Sequence, residues 1–149
     1  MPMAIERLRE VSRLCRQGRP LDDELAAWFG DCLRRFLERG AESFEEAFGV
    51  PACHGGVPWW KEERMRRRDA ALRDLARSTP EELSTGARVR EMHKLSVRYA
   101  ATAWIRDRQA EDMPPHYAGT GREFLWRAFR SGAAMPLGER QLRNIVAGL

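Results

Sequence analysis

Lysine is nearly missing from this chain. Of 26 basic residues among 149, only Lys61 and Lys94 are lysines, and the other 24 are arginines. Cysteine and histidine are scarce as well, three of each. An odd set of thiols, Cys15, Cys32 and Cys53, excludes the disulfide framework of a small secreted module and fits free cysteines in a reducing, cytoplasmic setting. No run approaches the roughly 18 consecutive apolar residues of a membrane span, so no membrane partner is expected. Glu6, Arg7, Arg9 and Glu10 break up the first apolar residues, so no secretory signal is expected there. No alternating apolar–polar run is bounded by turns, and no strand is predicted.

The residues that are present suit a folded domain. The chain is 43% apolar and 32% charged, which excludes a disordered tail or a collagen-like chain. Its length fits one domain and is enough to bury a core without metal or disulfide staples. The expectation is all-α: a single compact domain over 1–149, built from five to six main helices with short capping turns. A candidate sub-boundary lies in the Gly/Pro-rich loop 50–58.

Apolar spacing places the helices. Ile5, Leu8, Val11, Leu14 and Cys15 mark a first helix over 3–17, stopped by Gly18 and Pro20. Leu25, Trp28, Phe29, Cys32, Leu33, Phe36 and Leu37 form one continuous stripe on a helix over 22–39. Asp22 or Asp23 caps its start, and Gly40 is expected to end it in a left-handed conformation. Ser43 and Glu46 form a capping box before a short turn over 44–48, closed by Gly49. A helix over 59–77 carries Met65, Leu72, Leu75 and Ala76 on one face. Thr79, Pro80 and Glu82 suggest a further capping box. A long helix over 85–109 follows, with a wide apolar arc that includes Met92, Ser96, Val97, Tyr99, Ala100 and Trp104. The 22–39 and 85–109 helices are expected at the centre. After the loop 112–119, Thr120 and Glu123 cap a helix that ends at Gly132, and Leu142, Ile145 and Val146 mark a last short helix.

Catalytic and metal signatures are thin. There is no C-x-x-C, no H-E-x-x-H and no phosphate-binding glycine loop. Cys53 with His54 or His116 would make a thiol–imidazole pair only if the fold brought them together with an orienting group. A surface loop accounts for the same residues. Cys15 and Cys32 read as small core hydrophobes, and His93 as a core histidine. No catalytic residue, metal or cofactor is assigned.

Charge is the informative feature. Residues 1–58 carry a net −2 and residues 59–149 a net +6. Lys61, Arg64 and Arg68 follow Trp59 and Trp60 and lie on the same side as Met65, Leu72 and Leu75. Either that helix start offers arginine and tryptophan to phosphates and bases, or its cations pair with the acidic first part, which needs only partners within the chain. Arg90, Lys94 and Arg98 repeat every four residues opposite the apolar arc of the long helix. Arg140 and Arg143 lie on the second member of a C-terminal helix pair, with Arg122, Arg127 and Arg130 on the first. That pair suggests a DNA-reading helix, although its turn is longer than the three or four residues of the helix-turn-helix.

The runs 98–108, 119–129 and 135–145, together with 18–29 and 66–76, resemble a family of small, basic, helical proteins from proteobacterial genomes and prophage-like regions. The resemblance implies a bacterial setting and no known activity or site residue. The expected function is non-enzymatic binding of DNA or RNA through Lys61, Arg64, Arg68, Arg90, Lys94, Arg98, Arg140 and Arg143. The alternative is a protein-interaction module that binds itself or another protein.

Overall fold

Helix caps and apolar spacing divide the chain into eight α-helices and one 3-10 turn among the described residues, 3–50 and 57–147 of the computed structural model. No strand forms among them. The chain separates into two compact units, Met1–Trp59 and Trp60–Leu149. The expected 22–39 helix falls in the first and the 85–109 segment in the second. No helix among the described residues is long and apolar enough to cross a membrane.

The first unit holds α1 (Met3–Arg16), α2 (Asp23–Leu37) and α3 (Phe44–Phe48). Asp22 accepts from the Leu25 amide at 2.8 Å and so caps α2. Ile5, Cys32, Ala47, Phe48 and Val50 form the core, with Val11, Leu14 and Leu25 in a second cluster. Phe48 anchors the aromatic packing. It meets the edge of Trp28 at 5.6 Å and stacks on Phe44 at 4.2 Å between ring centres. The apolar stripe of α2 is buried only in part. Its last members, Phe36 and Leu37, are exposed, although Phe36 meets the Phe44 ring of α3 edge-on. Cys15 is exposed rather than buried, while Cys32 is in the core, where burial pushes its thiol above the ordinary range.

The end of α2 differs from expectation. The left-handed residue is Arg39, with φ +57°, and not Gly40. The Arg39 amide donates to the Phe36 carbonyl and the Gly40 amide to the Arg35 carbonyl, which closes the helix. A side chain therefore occupies the position that favours glycine, at a cost of about 1 kcal/mol.

The second unit holds α4 (Trp59–Arg77, entering from the last residue of the first unit), α5 (Thr85–Ala101), α6 (Ala103–Asp107), a 3-10 turn (Pro115–Tyr117), α7 (Gly121–Arg130) and α8 (Glu139–Val146). Its core joins Ala71, Leu72, Leu75 and Ala76 of α4 to Val89, Met92 and Tyr99 of α5, Leu125 and Ala128 of α7, and Leu142 and Val146 of α8. Two expected capping boxes do not form. The Thr79 hydroxyl donates to the Ala76 carbonyl and 78–84 is a turn, so Ser84 caps α5 instead. Thr120 likewise donates back to the Tyr117 carbonyl, and Glu123 accepts from the Gly119 amide.

The expected 85–109 helix is broken at Thr102, where φ is −124° and ψ −86°. Its amide turns to the Tyr99 carbonyl and its hydroxyl donates to the Arg98 carbonyl at 2.7 Å. With that break, and with α3 counted, the helices number eight rather than five to six. The apolar arc is also narrower than expected: Val97 and Ala100 are exposed.

Arg39→Gly should raise the unfolding free energy by about 1 kcal/mol by relieving the left-handed arginine. Urea denaturation checks this, and an unchanged or lowered midpoint would refute the reading of the α2 terminus.

Candidate nucleic-acid interface

The site begins with a buried charge. Asp107 at the end of α6 is only 2% exposed. One of its oxygens accepts the hydroxyl of Tyr99 at 2.9 Å and that of Tyr117 at 2.7 Å, and the other accepts from Arg106 Nε at 3.2 Å. Burial pushes this carboxyl up. The hydrogen bonds from Tyr117, Tyr99 and Arg106 outweigh it and hold Asp107 below its ordinary value. Tyr99 is pushed far up, first by burial and then by its bond to Asp107, so it stays a donor.

This anchor explains the break at Thr102. On a straight helix, residues 99 and 107 would be about 12 Å apart along the axis and about 80° apart around it. The turn at Thr102 folds α6 back so that the two side chains meet. The arrangement also sets two arginines. Arg122, in the first turn of α7, lies over the Tyr117 ring at 5.6 Å. Together with Arg98 of α5 it lines a depression of about 170 Å³ whose walls are Leu95, Tyr99 and Leu125.

A second concentration of charge lies along α4. Trp60, Arg64 and Arg68 are spaced four apart and share one ridge. Trp60, Lys61, Arg64 and Met65 face the segment 132–134 across a depression of about 250 Å³. The Arg64 guanidinium lies over the Trp60 ring at 4.8 Å. Gly132 has φ +78°, the left-handed conformation that favours glycine, and the Arg64 side chain passes beside it. Arg68 donates to the Ala134 carbonyl at 2.6 Å and pairs with Asp69 at 2.7 Å. Beyond that bond a further depression of about 400 Å³ continues past Met135 and Leu137 to Gln141 and Asn144. Arg68 and Ala134 line both depressions, which lie side by side and are divided by that bond.

The structure thus brings together Lys61, Arg64 and Arg68. It places Arg90, Lys94 and Arg98 on one exposed ridge of α5, and Arg140 and Arg143 exposed on α8. Among the described residues of the second unit, Arg68 alone of these eight has a carboxylate partner. The carboxylates go instead to Arg66, Arg77, Arg106 and Arg127. On α7, Arg127 pairs with Asp74 and Glu123, and Arg130 donates to the Arg108 and Glu111 carbonyls. The connector between α7 and α8 spans 131–138, too long for the DNA-reading turn.

Sequence reasoning missed Asp107, Arg122, Gln141 and Asn144 as members of these sites. A signal for Asp107 was present, since the chain has only two tyrosines and a buried hydroxyl needs an acceptor. Cys53 and His54 lie outside the described residues, and His116 is exposed on the 3-10 turn. His93 is half-buried. Among the described residues, no three of His, Cys, Asp and Glu come together as a metal-ligand set. Comparison with family models, curated proteins and solved structures finds no match to this chain.

Asp107→Asn should cost about 2 kcal/mol at pH 7, because two hydrogen bonds lose their charged acceptor. The folded carboxyl titrates below the unfolded one, so Asp107 stabilises the fold above about pH 4 and that contribution fades as pH falls further. The gap between wild type and Asp107→Asn, measured by urea unfolding, should therefore narrow below about pH 4. A gap independent of pH would refute the role of the charge.

Proposed function

We propose that this protein binds nucleic acid through the arginine-rich surfaces of its second unit. One observation carries the reading: Lys61, Arg64, Arg90, Lys94, Arg98, Arg140 and Arg143 have no carboxylate partner among the described residues of that unit. Among its other arginines, Arg66, Arg68, Arg77, Arg106 and Arg127 pair with carboxylates, and Arg73, Arg88 and Arg130 donate to backbone carbonyls. Unpaired guanidinium groups are suited to phosphate, which they grip through two parallel hydrogen bonds. Each cation placed on a phosphate releases a counterion and makes binding sensitive to salt. No chemical step is assigned, so the protein acts as a binding module.

A second reading rests on the first unit. Phe36, Leu37 and Phe44 are exposed together near the end of α2, with Phe36 set edge-on to Phe44 at 6.2 Å. Contiguous exposed aromatics of this kind mark protein contacts. If a second copy docks there, the sedimentation coefficient rises with concentration and Leu37→Asp abolishes the rise. A single concentration-independent species would overturn self-association.

For the main reading, affinity for labelled DNA should fall steeply between about 50 and 200 mM salt. Changing Arg90, Lys94 and Arg98 to glutamate should weaken binding and lower the log–log salt slope by about one for each phosphate that is no longer neutralised. Absence of binding at about 50 mM salt, where the electrostatic contribution is large, would overturn the proposal.

A further inference from the structure

The depression between α4 and the 132–134 segment contains more than charge. We infer that it takes an unpaired strand of nucleic acid, with one base stacked beside Trp60 and the backbone following Lys61 and Arg64. This rests on the nucleic-acid reading above and narrows it to one form of the polymer.

Three observations support the inference. Trp60 is 45% exposed although it is a tryptophan beside an apolar helix face, and it lines a depression rather than filling the core. Such a ring offers a face to any base, and stacking of this kind tolerates every sequence. The Arg64 guanidinium already lies over the Trp60 ring, 4.8 Å from its centre, so cation and ring are paired before any ligand arrives. That lowers the ordering cost of binding. The adjoining depression, beyond the Arg68–Ala134 bond, adds two amides to an apolar lining. The Gln141 carbonyl oxygen accepts from the Leu137 amide at 2.8 Å, which leaves its NH₂ group as a donor, and Asn144 is exposed beside it. Amides are the groups that meet the edges of unstacked bases.

A duplex cannot use these features. Its base faces are covered by their neighbours, and only phosphates and groove edges reach a protein surface. A tryptophan set in a depression meets a base face only where the strand is unpaired. An acidic peptide would respond to the same cations, but not to the loss of the ring.

The test uses the full chain and a labelled strand of about 12 nucleotides, compared with its duplex at about 50 mM salt. The strand should bind more tightly than the duplex. Trp60→Ala should weaken strand binding by about tenfold and leave duplex affinity unchanged, and Trp60→Phe should keep most of the strand affinity. Trp60→Leu preserves apolar packing without an aromatic face, so it guards against a folding defect and should behave like Trp60→Ala. If the duplex binds as well as the strand, or if Trp60→Leu and Trp60→Ala bind the strand like wild type, the inference fails and the nucleic-acid reading stands. If neither form binds, both fall.

Discussion

The second unit depends on one buried carboxylate. Asp107 sits where a charge is costly, and only three donors make it tolerable. Two of them are the hydroxyls of the chain's only tyrosines, one from α5 and one from the 3-10 turn before α7. The bond therefore joins three consecutive parts of the fold at one point. The Arg106 contribution is smaller, because its side chain is largely in water, where an ion pair is worth little. Removing a partner from such a cluster would leave a buried polar group unmet, which costs more than the bond itself contributes.

From that point outward the placement of charge follows. Folding α6 back against Tyr99 fixes the end of α5 and so the position of Arg98, and Tyr117 carries the ring on which Arg122 lies. On α4 the same logic runs through glycine rather than through a carboxylate. Gly132 takes the left-handed turn beside Arg64, and Arg68 ties that chain down at Ala134. Of the cations without a carboxylate partner, Lys61, Arg64, Arg98 and Arg122 line these depressions, and Arg90, Lys94, Arg140 and Arg143 lie on exposed helix surfaces. Where carboxylates are near, as on the outer side of α7, the arginines are consumed in internal pairs.

The helices were largely legible because their signals are local. The 59–77 helix is found at its expected bounds, and Ser43 caps α3 as its spacing implies. Expectations failed where a local signal had a nonlocal competitor. Thr102 follows a run with good helical periodicity, yet the Asp107 anchor bends the chain there. Thr79 and Thr120 precede acidic residues at capping distance, but each hydroxyl found a carbonyl behind it. Gly40 carried the usual helix-stop signal, and the register of α2 placed Arg39 in the left-handed position instead. Phe36 and Leu37 continue an apolar stripe, but a stripe says nothing of whether a neighbour covers it.

By itself the sequence determined the helical class, most of the helix bounds, and which segment carries the excess of arginine. These follow from periods of three to four residues, from caps, and from composition, all properties of neighbours along the chain. The tertiary structure decided the pairing that joins different elements. Most ion pairs of the second unit join residues one to four apart, but the one between Arg127 and Asp74 depends on a distance of 3.5 Å between residues far apart in sequence. It also decided that Trp60 and Arg64 share one depression with the 132–134 segment, because that segment folds back against α4.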